Sequence, residues 1–153
     1  MSGGPITLNS TPATGEGVSW VRSPRTGSNG APARKGYPIS QLRLLIRYNP
    51  KTGQLYWLPR TPEMFVKKEP ACSAWNKKNA GKEIIGLDQG GYIRVGFFGE
   101  QVSGHRVAWA LYYGEWPTLC IDHINGVRSD NRIDNLRNVS FQENARNSKL
   151  ASN

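Results

Sequence analysis

Cysteine is scarce in this chain: Cys72 and Cys120 are the only two in 153 residues. A single pair does not make a disulfide framework, and so little thiol suits a reducing compartment. No run of about 18 apolar residues occurs, which excludes a membrane-spanning helix. The first residues also lack the basic-then-apolar pattern of an export signal. The cytoplasm is therefore the expected compartment. Acid is short as well, with 11 Asp and Glu against 20 Lys and Arg and a net charge of +9. Such an excess suits polyanions, and nucleic acid is the usual partner. The length fits one domain with a tail.

Residues 1–36 are rich in Gly, Ser, Thr, Pro and Ala and carry almost no aliphatic pattern. Such a segment buries too little apolar surface to offset its ordering entropy, so a disordered leader is expected there. Arg22, Arg25, Arg34 and Lys35 lie in it, as does an isolated Trp20. A folded domain is expected over 37–153, with a β-rich scaffold over 37–119 ahead of a C-terminal core over 120–150. Ser40 opens a short helical pattern through Leu42, Leu45 and Ile46. Asn49 to Gly53 reads as a turn, and Gln54 to Leu58 as a strand. Residues 59–81 read as irregular and basic, with Lys67, Lys68, Lys77 and Lys78 around Trp75-Asn76. Trp75 either packs on the sheet or stacks on an exposed base. Strands follow at Lys82–Ile85, Tyr92–Phe98 and Gln101–Ser103, with turns at Gly90-Gly91 and Gly99-Glu100. This antiparallel meander is either scaffold or a ribbon along DNA. His105 to Tyr113 has a helical stripe of Val107, Ala108, Leu111 and Tyr112.

The densest chemistry lies between Cys120 and Lys149. Ile121 to Ile124 reads as a strand, Asn125-Gly126 as a turn, and Leu136 to Val139 as a second strand. Ser140-Phe-Gln-Glu143 has the capping-box form, Ser with Glu three residues on, which starts a helix. Within that frame stand an adjacent Asp122 and His123, an Asn-rich loop ending at Asn135, and Asn144 on the helix, 21 residues after His123. Neighbours on a regular strand point to opposite faces, so the strand is expected to end or distort at the Asp-His pair.

This segment resembles the ββα-metal core of the HNH endonucleases, in the variant common among phage and homing enzymes. The run from Gly104 to Gly114 is similar to the segment preceding that core, and the resemblance spans roughly residues 48 to 148. The implied fold is α+β: a small antiparallel β meander and helix followed by a C-terminal ββα-metal motif. The implied activity is hydrolysis of DNA phosphodiester bonds, leaving 5′-phosphate and 3′-hydroxyl ends. His123 matches the family's general base, and Asp122 the metal ligand before it. Asn135 matches the middle Asn, which ties the two strands together. Asn144 stands at the third position, where many relatives have His, and would complete the metal site with Asp122. The family's helix lies along the minor groove, which would set Arg146 and Lys149 beside DNA. Phage origin and action in a host cytoplasm are part of the same implication.

The residue chemistry agrees with that assignment. Phosphodiester hydrolysis needs an activated water and charge stabilisation at the phosphate. A neutral imidazole takes a proton near pH 7. Carboxylate and amide oxygens are hard ligands that suit Mg²⁺ or Mn²⁺. Arg128, Arg132 and Arg137 flank the loop, where one of them would meet the scissile phosphate. The last segment's five basic residues nearly balance its four acids. Further DNA contacts are therefore expected from Lys67, Lys68, Lys77, Lys78 and Arg94. No obligate protein partner is implied, and a monomer is expected. Two rival readings stand beside this one. One is a non-catalytic basic DNA-binding module. The other is a zinc-binding structural domain on Cys72, His105, Cys120 and His123, because Cys120 and His123 have knuckle spacing.

Overall fold

The computed structural model describes residues 37–65 and 68–151. The expected leader over 1–36, with its Trp20 and basic residues, lies outside the described residues, as does Lys67. Among the described residues four α-helices and six short strands make an α+β arrangement: α1 (Ile39–Leu45), β1 (Ile46–Tyr48), β2 (Leu55–Trp57), α2 (Lys68–Asn79), β3 (Arg94–Phe97), β4 (Glu100–Ser103), α3 (Gly104–Tyr113), β5 (Cys120–His123), β6 (Leu136–Val139) and α4 (Phe141–Ala151). The strands pair as three separate antiparallel hairpins, β1–β2, β3–β4 and β5–β6.

Helix α3 joins these hairpins. Its Val107 and Ala110 enter a cluster with Leu42, Leu45, Ile46, Leu55, Val95 and Phe97. Its Ala108 faces the other way, onto Ile121 of β5 and Leu136 of β6. Small residues at 108 and 110 let neighbouring elements approach the helix on two sides. Gly114 ends it in the left-handed conformation, at φ 77°, with its N–H on the Ala110 carbonyl. That is the glycine C-cap expected for an abrupt stop.

Three elements differ from the sequence reading. Ile46 begins β1 and is not the end of α1. Its burial in the core is the same in either element, so apolar spacing alone does not separate the two. Residues 68–79 form helix α2, where an irregular segment was expected. Only Cys72 is buried on that helix, so it carries no apolar stripe for periodicity to reveal. The Lys82–Ile85 strand reduces to one bridge, Tyr56 to Glu83. Trp75 packs edge-on against Trp57, and the Arg60 guanidinium covers one of its faces 3.9 Å from the ring centroid. Arg60 is itself buried, and burial pushes its pKa down to about 10.

Candidate active site

Strands β5 and β6 form a regular ladder in which Asp122 stands opposite Arg137 and His123 opposite Leu136. Directly opposed residues share a face of the sheet, and successive residues alternate. Ile121 and His123 therefore point inward, while Cys120 and Asp122 lie on the other face and are half-buried. The strand stays regular through His123 and ends there. The turn after it is tied down by Asn135, a buried residue. The Asn135 Oδ1 accepts the Asn125 N–H at 2.9 Å, and its Nδ2 donates to Asn125 Oδ1 and the Asp130 carbonyl, each at 2.9 Å. One amide thus joins three points of the loop, using both its donors and its acceptor.

On the inward flank His123 is 6% exposed, and its Nε2 lies 3.1 Å from Oδ1 of Asn131. The His105 ring, from the first turn of α3, meets the His123 ring edge-on at 5.1 Å between centroids, and Tyr92 lies against both. Burial pushes the His123 pKa below its ordinary value, against the opposing pull of the Asn131 bond and Asp122. Burial likewise pushes His105 down to about 3, helped by His123 and Arg106. Both imidazoles are therefore neutral near pH 7.

The opposite flank carries the oxygen donors. Asp122 Oδ2 accepts two bonds from Arg137, at 2.9 and 2.6 Å, and one from Asn147 Nδ2 at 2.9 Å. Helix α4 starts on the capping box: Glu143 N–H donates to Ser140 Oγ at 3.2 Å, and Ser140 N–H to Glu143 Oε2 at 2.9 Å. That start sets the helix phase, and Asn144 and Asn147 are the two residues from Phe141 to Leu150 that are not exposed. Both line, with Asp122 and His123, a cavity of about 860 Å³ that also reaches Tyr92, Arg94, His105, Arg106, Arg128 and Arg137. Four arginines against Asp88 and Asp122 give the cavity a positive lining suited to a phosphate.

Of the residues expected to meet DNA, Arg94, Arg128 and Arg137 line this cavity. Arg128 donates to the Gly90 carbonyl at 2.7 Å and lies over Tyr92, while Arg94 bonds Ser103 and Gln101. Arg132, Arg146, Lys149, Lys77 and Lys78 are not in its lining. Arg132 forks onto Asp130, whose carboxyl that bond holds down at about 2. Lys77, Lys78, Arg146 and Lys149 are exposed on α2 and α4.

The zinc reading fails on geometry. Cys120 and His123 face opposite sides of β5, and Cys72 is buried in α2, donating to the Arg60 carbonyl at 3.1 Å. Among the described residues no three His, Cys, Asp or Glu side chains gather around a common point. Sequence reasoning missed Asn131, Tyr92, Arg106 and the reach of Asn147 to Asp122. Of the four residues in the zinc reading, His105 and His123 do meet, ring against ring.

The description "HNH endonuclease" belongs to the family model that matches residues 103–146, from the end of β4 into α4. Residues 103–146 are thus similar to HNH endonucleases. Asp122, His123, Asn131, Asn135 and Asn144 fall inside it, and Asn147 falls one position beyond its end. No curated protein matches the chain. A solved structure of the HNH homing endonuclease I-HmuI, described as DNA binding and cleavage, is similar at 23% identity with a TM-score of 0.46. The match covers 71% of this chain and 53% of that one, so the chain spans about half the length of that enzyme.

Proposed function

We propose that this HNH segment makes the chain a metal-dependent DNA endonuclease. The observation that carries the proposal is the buried His123 at the end of β5, lining one cavity with Asp122 and Asn144 inside the family match. In this reading His123 takes a proton from water as the water oxygen bonds to phosphorus. The bond to the 3′ oxygen then breaks, and that oxygen takes up a proton from solvent, giving 5′-phosphate and 3′-hydroxyl ends. Arg94, Arg128 and Arg137 hold the phosphate oxygens and balance their charge. Asn135 keeps the turn after His123 in place.

The donor set fits a hard divalent cation such as Mg²⁺ or Mn²⁺. It offers one carboxylate with its second oxygen outside the Arg137 and Asn147 bonds, and amide oxygens of asparagines facing the same cavity. Asp122 and Asn144 would hold the ion, which when bound would polarise the phosphoryl group and stabilise the departing oxygen. The described residues contain no helix long and apolar enough to cross a membrane.

Nicking or linearisation of supercoiled plasmid, with Mg²⁺, with Mn²⁺ and with chelator, tests the proposal. Wild type should cut only with metal. His123→Ala should bind DNA as before and cut roughly 10²–10⁴-fold more slowly, the contribution of a positioned proton acceptor. Plasmid binding without cutting under every metal condition would make the chain a DNA-binding module instead.

A further inference from the structure

Buried asparagines are uncommon, because both ends of the amide must find partners away from water. Asn131 is 1% exposed, among the most buried side chains described, and its Oδ1 is the atom beside His123 Nε2. An amide oxygen only accepts, so at 3.1 Å the proton belongs on Nε2. A neutral imidazole carries one proton, which leaves the lone pair on Nδ1.

The surroundings hold Asn131 from three sides. Tyr48, at the end of β1, donates its hydroxyl to the Asn131 carbonyl at 2.5 Å, across 83 positions of sequence. The β1–β2 turn lies on the same stretch: Ile133 N–H donates to the Pro50 carbonyl at 3.0 Å. Gly53 of that turn has φ +80°, and a Cβ there would fall 2.5 Å from Arg132 N and 2.6 Å from the Asn131 carbonyl carbon. Only glycine permits that contact without displacing backbone. At the start of α3, a Cβ on Gly104 would meet Ile93 at 2.9 Å and Asn131 Nδ2 at 3.1 Å. Two glycines thus make the space in which this amide sits.

We propose that Asn131 is the positioning residue of the catalytic imidazole: it fixes the proton on Nε2 of His123 and so makes Nδ1 the nitrogen that accepts the proton of water, while the β1–β2 turn keeps Asn131 in place. The inference rests on the reading of His123 as the base. It adds a residue outside the Asp-His and Asn135 positions and gives the N-terminal hairpin a part in the chemistry.

The tautomer is directly measurable, because the chain has only two histidines. In ¹⁵N-labelled full-length protein, long-range ¹H–¹⁵N spectra at neutral pH separate Nε2–H from Nδ1–H rings, and a His105→Gln variant assigns the remaining ring. The expected result is a single Nε2–H tautomer for His123. A proton on Nδ1 would mean that the Asn131 amide donates instead, and would overturn the proposal. Asn131→Leu, which keeps the size and removes the acceptor, should give a mixture of tautomers. Its kcat on plasmid should fall by roughly 10²-fold, the low end of what a positioned base contributes, with the Kd for duplex unchanged. Asn131→Asp restores an acceptor oxygen and should recover the Nε2–H form and most of the rate. Equal losses in both variants, or a loss in Kd alone, would reduce Asn131 to a structural residue. The tautomer is read without substrate, so it decides for Asn131 whether or not plasmid is cut.

Discussion

At His105, burial, the facing His123 ring and the guanidinium groups of Arg106 and Arg94 all oppose the imidazolium, with Asp88 alone favouring it. The folded-state pKa is about 3 against an ordinary 6.5. Below pH 6.5 the unfolded chain therefore binds a proton that the folded chain refuses, so stability rises with pH through this window. It is complete above the ordinary value and is lost as pH falls toward about 3. The melting temperature of wild type should drop more steeply between these limits than that of His105→Gln. Parallel curves for the two proteins would show that His105 is protonated in the fold. The same scale shows what a residue string reveals. Asp122, His123, Asn135 and Asn144 were legible because their spacing is local and their chemistry unusual. Asn131 was not. Its neighbours Asp130 and Arg132 form an exposed pair beside it, and its own partners come from distant segments.

Helix α4 shows how a cap sets the phase of an element. The Ser140–Glu143 box was legible because its two bonds join residues three apart, and its geometry is present as drawn from sequence. With the start fixed, Asn144 and Asn147 fall on the side facing β5, since residues three apart are neighbours on a helix. They differ in what they touch. Both line the cavity, but Asn147 donates its N–H to Asp122, whereas Asn144 lies within the family match. Asn144→Ala should therefore abolish metal-dependent cleavage, and Asn147→Ala should weaken it at most by loosening Asp122. Titration of Mn²⁺ against cleavage rate for both variants checks the ranking, and the reverse order would make Asn147 the ligand. Helix α2 was illegible for the opposite reason. With a single buried residue, it has no periodic signal, and it is held by the bonds of Asn76 to Arg60 and the stacking of Trp75.

Over the whole molecule the charge is uneven. The segment after residue 121 holds five basic and four acidic residues, and two of those arginines pair with Asp122 and Asp130. Most of the positive excess lies upstream, and Lys77 and Lys78 stand exposed on α2, outside the cavity. Exposed lysines at that remove suit phosphate contacts, which add affinity without reading sequence. Replacing Lys77 and Lys78 together by Gln should weaken binding to two unrelated duplexes alike. It should also flatten the slope of log affinity against log salt by about two. Loss on one duplex alone would mean that this region reads bases. The α+β class was expected from the resemblance, and turn residues and alternation marked most of its elements. The division into three hairpins around α3 was not, because which strands pair depends on contacts between distant segments that no local pattern records.

The turn from Asn49 to Gly53 has the composition and surface position of a permissive site, the kind chosen for an epitope tag or a split-protein junction. Its carbonyl and its glycine instead lie against the backbone of Asn131, Arg132 and Ile133. A graft there would push on the loop that holds Asn131 beside His123. Labelling and fusion designs for this protein are better placed at Gly81 or Gly99, where an added Cβ meets no atom within 4 Å, although each position needs a residue tolerant of positive φ.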